Sequence, residues 1–257
     1  MNVTFLGTGT SVGIPMIGCS CEACTSSDPR DARLRSSVLI EAEDKNILID
    51  CGPDFRQQML REKVGRLDAI LVTHIHNDHT AGMDDIRPYN FMTRQDMPVY
   101  TDEFTAKDLK RRFQYVFGPS PYPGAPSVDL IHVDKDTPFK AAGIPVTPLE
   151  VIHGKLPVLG FRFDQFAYVT DAKTIVPEEL VKLEGVEYLV LNALQQKQHH
   201  SHLTLEEALE VIKKINPKKA FLTHISHKMG KQADVEPTLP DNVFFAYDGL
   251  KVDCGEG

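Results

Sequence analysis

Apolar positions in this chain gather in short β-prone runs. They predict strands over residues 3–6, 37–41, 47–50, 69–72, 144–152, 158–163, 166–169, 188–191, 220–223, 243–246 and 250–253. Helical signals are fewer. Asp54 is placed to cap a helix running to about Lys63, with Gln57 at the reciprocal capping position, and Thr105 opens another through Phe113. Pro177 suits the first turn of a helix ending near Gly185. Thr204 with Glu207 forms a capping box before Ala208, Leu209, Val211 and Ile212. Proline and glycine concentrate over residues 118–126, which read as a surface loop. No linker, low-complexity tract or repeat interrupts the order, so one domain over residues 1–257 is expected, with a cysteine loop at about 15–30.

Polar residues able to do chemistry stand at the ends of these apolar runs. His74 follows Leu71-Val72, His153 follows Val151-Ile152, Asp171 follows Tyr168-Val169, and His224 follows Phe221-Leu222. Two sheets whose strand ends meet at one edge would bring them together. Helices on the outer faces would then make an α/β fold of four layers, two packed mixed sheets with outer helices.

The densest of these positions is Thr73-His74-Ile75-His76-Asn77-Asp78-His79. Imidazole nitrogen and carboxylate oxygen are ligands for zinc and similar divalent ions, and a solvated loop seldom packs four of them so tightly. A metal site is expected here.

Composition narrows the setting. The chain has 257 residues, 42% of them hydrophobic and 25% charged, as in a soluble globular protein. A net charge of −8 and a pI near 5.7 argue against nucleic acid as a partner. No apolar run is long enough for a membrane span, and residues 1–6 do not read as a signal peptide. Five cysteines, three of them clustered, argue against a disulfide framework and for a reducing cytoplasm.

The Thr-His-x-His-x-Asp-His run after a strand resembles the signature of the metallo-β-lactamase superfamily, whose fold is an αβ/βα sandwich. The resemblance implies two metals at one edge of the paired sheets. His74, His76 and His153 would take the first, Asp78, His79 and His224 the second, and Asp171 would bridge both. Asp50 resembles an aspartate that orients a ligand histidine in this family. Such a pair of ions shares a water, lowers its pKa toward neutrality and polarises the substrate's phosphoryl or carbonyl oxygen. The superfamily cuts many bonds, so the fold alone does not choose the reaction.

A second constellation lies in Cys19-Ser20-Cys21-Glu22-Ala23-Cys24. Three thiols in a compact loop suit a structural zinc, and His227, three residues past His224, is the candidate fourth ligand. This pattern ahead of the histidine motif resembles the PhnP branch of the superfamily, as does the opening Phe5-Leu6-Gly7-Thr8-Gly9-Thr10. That resemblance implies a phosphodiesterase acting on small or cyclic phosphodiesters, such as 5-phosphoribosyl 1,2-cyclic phosphate, through a hydroxide bridging two zinc or manganese ions. It further implies a structural zinc and a homodimer. It makes His202 the proton donor to the leaving oxygen, with Asp78 also in the catalytic set. Arg87 follows the metal loop closely enough to reach a substrate phosphate, though a salt bridge to a neighbouring aspartate serves it equally.

Two other readings stay open. One is a tRNA 3′-processing endonuclease of the same superfamily, which shares the Gly-Thr-Gly opening. The other is a non-catalytic metal-binding accessory protein of the same fold; the presence of all seven candidate ligands favours an enzyme.

Overall fold

The computed structural model describes residues 1–119 and 122–255. Ser120 and Pro121, within the loop expected over residues 118–126, lie outside the described residues. The strands are β1 (Asn2–Gly7), β2 (Ser37–Ala42), β3 (Lys45–Ile49), β4 (Ala69–Leu71), β5 (Met97–Thr101), β6 (Val128–His132) and β7 (Phe139–Ala141). They continue as β8 (Ile144–His153), β9 (Leu156–Phe163), β10 (Phe166–Val169), β11 (Tyr188–Asn192), β12 (Lys219–Thr223), β13 (Val243–Phe245) and β14 (Lys251–Asp253). Among the described residues they form two seven-stranded sheets, ordered β14-β1-β2-β3-β4-β5-β6 and β13-β12-β11-β10-β9-β8-β7. The helices used below are α1 (Phe55–Glu62), α2 (Asn77–Thr80), α3 (Arg87–Thr93), α4 (Glu103–Arg112), α5 (Gln114–Phe117), α6 (Pro177–Val181) and α7 (Leu205–Ile215).

The central strands read as continuous apolar runs because both of their faces are covered. In β3, Ile47 and Ile49 join the core between the sheets, while Leu48 joins the outer layer with Phe55 and Met59 of α1. In β10, Phe166 and Tyr168 face the other sheet, while Ala167 and Val169 pack with Ala208 and Ile212 of α7. Phe5 meets Phe221 across the two sheets with ring centroids 5.6 Å apart. Helix, sheet, sheet and helix thus make the four layers expected from the strand pattern.

Four local expectations change. The carboxylate of Asp54 makes no capping bond to α1, because it accepts the Arg35 backbone N–H at 2.8 Å and pairs with the Arg35 guanidinium at 3.0 Å. Helix α4 starts ahead of Thr105, since Asp102 is the cap and accepts the Thr105 N–H at 3.0 Å. Helix α6 stops at Val181, short of Gly185. Strands β5, β6 and β7 had no sequence signal strong enough to name them: β5 carries Pro98, β6 carries Asp129, and β7 is a three-residue edge strand.

The capping box of α7 forms, with the Thr204 hydroxyl accepting the Glu207 N–H at 3.2 Å and the Glu207 carboxylate accepting the Thr204 N–H at 2.9 Å. Replacing Thr204 with Ala removes half of it. Urea unfolding is expected to report a loss of about 1 kcal/mol; an unchanged midpoint would show that the cap carries no stability.

Candidate metal centre

The C-terminal ends of β3, β4, β8, β10 and β12 open at one edge of the sandwich, and each delivers a polar residue there. Strands β3 and β4 are parallel, as are β10, β11 and β12. Strand β8 runs parallel to β10 because both are antiparallel to β9 between them. Asp50, Asp171 and His224 each turn out of their strands through the left-handed region, with φ of 65°, 57° and 56°. Non-glycine residues held there cost conformational energy and collect at functional sites.

Asp171 is the hub. Its Oδ2 lies 3.8 Å from His74 Nε2, 4.0 Å from His153 Nε2 and 3.9 Å from His202 Nδ1. Its Oδ1 lies 3.4 Å from His79 Nε2 and 3.3 Å from His224 Nδ1. His76 Nδ1 is 2.9 Å from His74 Nε2, and Asp78 is 3.2 Å from His79 Nε2. Two ligands about 2.1 Å from one tetrahedral ion stand roughly 3.4 Å apart. Spacings of this size suit groups converging on a cation. Three donor sets emerge: His74, His76 and Asp171; Asp78, His79 and His224; His153, Asp171 and His202.

The ring orientations follow from hydrogen bonds behind the site. Asp50 is fully buried and accepts from Thr73 N–H at 2.8 Å, from the Thr73 hydroxyl at 3.0 Å and from His79 Nδ1 at 2.6 Å. The Thr73 hydroxyl in turn accepts from His74 Nδ1 at 2.9 Å. His153 Nδ1 donates to the Ser201 carbonyl at 2.7 Å. Each of these anchors turns Nε2 toward the centre, which is how proteins set the orientation of a metal-binding histidine. The fit to a cation shows in what is left over: His79 Nε2 and His202 Nδ1 are buried with no hydrogen-bond partner. Native proteins rarely leave such atoms unpaired without a reason.

The electrostatics agree. Burial opposes the charge of Asp171, but His224, His79, His74 and His202 outweigh it and hold the carboxyl well below its ordinary range. Burial likewise opposes a proton on His79, yet Asp78, Asp50 and Asp171 raise it well above 6.5. His74 is driven well below 6.5 by burial and by His79, so it stays neutral and able to bind. Burial and the neighbouring His224 push His202 down to about 3. The resting His202 is therefore a neutral ring, not the imidazolium of a free general acid.

The cysteine loop meets the far side of the same β12 loop. Cys19 Sγ and Cys21 Sγ each lie 3.3 Å from His227 Nδ1, and Cys24 belongs to the same four-donor cluster. The Cys24 backbone N–H and His227 lower the Cys21 thiol to about 6, while burial raises Cys24 to about 11. His224 and His227 share one short loop, held by Ile225 N–H on Thr8 O at 2.9 Å and Ser226 N–H on Leu194 O at 2.9 Å.

Arg87 engages the Asp84 carboxylate and donates to the Asp84 carbonyl at 3.2 Å, so the aspartate partner that competed with substrate in its reading is present. Several site residues escaped the sequence reading. Asn192 holds Ala172, just past Asp171, through bonds of 2.7 and 3.0 Å. Its place at the end of an apolar run was the available signal. Ser36 and Thr10 lie 3.2 and 3.3 Å from the His224 ring; Thr10 ends the opening over residues 5–10 already singled out, while no motif marks Ser36.

Comparison with known proteins places this site among relatives. A family described as beta-lactamase superfamily domain matches residues 45–225. An octanoyltransferase of Porphyromonas gingivalis is 40% identical over 253 residues, covering 98% of this chain and 51% of that protein. The chain thus spans about half the length of that relative. A ribonuclease Z of Anoxybacillus flavithermus is 26% identical, with 96% of each chain covered. A crystal structure of a new diphosphatase from the PhnP family superposes with a TM-score of 0.92 at 38% identity, covering 99% of this chain and 98% of that one.

A methyl group on Gly52 would sit 1.9 Å from the Asp78 carbonyl oxygen. Gly52→Ala is therefore expected to displace the Asp78–His79 backbone and cost the site its cations while the cysteine cluster keeps zinc, as read by metal analysis. Full metal content in the variant would contradict this close packing. Histidine must be unprotonated to bind a cation, so cation binding should also weaken as pH falls, which a titration at two pH values checks.

Proposed function

This chain belongs to the metallo-β-lactamase superfamily as a PhnP-like, metal-dependent hydrolase, and on that premise we propose that it cleaves small phosphodiesters such as cyclic ribose phosphates, with small diphosphate esters, cut at their phosphoanhydride, as a second substrate class. The observation that carries the reading is the division of the Asp171 carboxylate, one oxygen toward His79 and His224 and the other toward His74, His153 and His202. A single carboxylate facing two donor sets suits a pair of cations, zinc or manganese, with a separate zinc at the cysteines. Bound there, divalent ions supply Lewis acidity and a water acidic enough to ionise near neutral pH.

The chain's own residues supply positioning and charge stabilisation. Asp50 and Ser201 fix the histidine orientations. His202 is buried beside His153 and His224, with ring centroids 4.3 and 5.0 Å away. A neutral ring there would hold an N–H hydrogen bond to a leaving oxygen and stabilise the negative charge that develops on it without giving up the proton. Asp78 remains a ligand and catalytic candidate at the other side of the hub. The diphosphatase named above, similar over the whole chain, supports phosphate chemistry and is the reason diphosphate esters join phosphodiesters in the proposal.

The test is a substrate panel: bis(p-nitrophenyl) phosphate, a cyclic ribose phosphate, a nucleoside diphosphate ester and unprocessed tRNA. Hydrolysis of the small esters with intact tRNA is expected; tRNA trimming with inert small esters would replace this reading by the endonuclease. His202→Ala should lower kcat about 10²–10³-fold on esters with poor leaving groups. It should change p-nitrophenolate release far less, and equal losses on both would remove His202 from the role of stabilising the leaving oxygen.

A further inference from the structure

The residue that reaches the metal loop most fully is one that no motif marks. Arg112, the last residue of α4, is far in sequence from the histidine cluster. Its Nη2 donates to the Ile75 carbonyl at 3.1 Å and to the Thr80 hydroxyl at 3.0 Å, and its Nη1 donates to Asn77 Oδ1 at 2.8 Å. Asp108, one turn earlier on α4, takes Nε at 2.6 Å and aims the guanidinium. The Thr80 hydroxyl passes the restraint on, donating to the His76 carbonyl at 2.8 Å.

The three acceptors bracket the metal loop. Ile75 is the peptide between His74 and His76, and Asn77 and Thr80 are the two ends of α2, the short helix that carries Asp78 and His79. One planar fork therefore fixes four candidate ligands relative to one another. The geometry also says what Arg112 does not do. Four of its five N–H groups are spent on protein acceptors, which leaves no free fork for a substrate phosphate. A lysine could keep the charge at this position but not the spread of donors.

We propose that Arg112 is a positioning residue that sets the metal loop's geometry and hence its hold on cations. The proposal rests on the metal-centre reading above. The test is cobalt(II) titration followed by visible absorption, with chelator competition, on the full-length chain as wild type, Arg112→Lys, Arg112→Met and Asn77→Ala. Both arginine variants should raise the dissociation constant of the histidine cluster about 10- to 100-fold, the usual cost of losing a residue that orients ligands. Zinc at the cysteine site should be retained, and KM at saturating metal should stay near wild type. Asn77→Ala, which removes one acceptor and leaves the guanidinium, should shift the constant the same way by less.

Wild-type cation binding in Arg112→Lys would overturn the proposal, because charge alone would then suffice. A raised KM with unchanged cation binding would also overturn it, by making Arg112 a substrate contact. A wild-type protein that binds cobalt only at the cysteines would instead sink the metal-centre reading itself.

Discussion

Everything at the working edge of this protein depends on burying the carboxylate of Asp171. A lone carboxylate taken out of water costs several kcal/mol, and the fold tolerates it only by surrounding it with groups that compensate. Five imidazoles from four segments of the chain surround it here. Their convergence is the physical reason the two sheets must end at the same edge. It also explains why Asp50, Asp171 and His224 accept left-handed backbone at the ends of their strands. The cost of that backbone is offset by the packing of the strands that precede them, whose inner and outer faces are both buried.

Around the hub the chain builds restraint in layers. Asp50 holds Thr73 and His79, and through Thr73 it holds His74. Arg112 holds the loop from the α4 side, and Gly52 and Gly82 let residues 50–52 press against residues 78–82. The cysteine cluster grips His227, only three residues beyond His224, so its closure and the placement of a catalytic-edge histidine share one piece of backbone. Positional precision of this kind is what hydrolysis without a side-chain nucleophile requires, since its rate comes from placing charge and water correctly.

Much of this was legible from the residues. Strands buried on both faces announce themselves as apolar runs, and a histidine or aspartate closing such a run is conspicuous. That rule marked His74, His153, Asp171 and His224, and it extends to Asn192. The outer strands were harder, because β5, β6 and β7 lie toward the sheet edges, where polar residues and proline are tolerated. Side-chain partnerships far apart in sequence left no trace at all. Asp54 has a cap's position yet serves Arg35, and Arg87 neighbours the metal loop in sequence while Arg112 clasps it in space. Local pattern encodes which face of an element is buried; it does not encode which distant carbonyl a guanidinium will meet.

The most direct test of a two-cation centre bridged by Asp171 is metal content per chain in wild type, Asp171→Ala and Cys21→Ala, measured alongside phosphodiester turnover. Ligand counting predicts about three ions in wild type. Asp171→Ala should keep the cysteine-site zinc, lose cations from the histidine cluster and lose turnover with them. Cys21→Ala should lose the cysteine-site zinc first. An Asp171→Ala protein that keeps its full metal content and hydrolyses phosphodiesters at the wild-type rate would contradict the account.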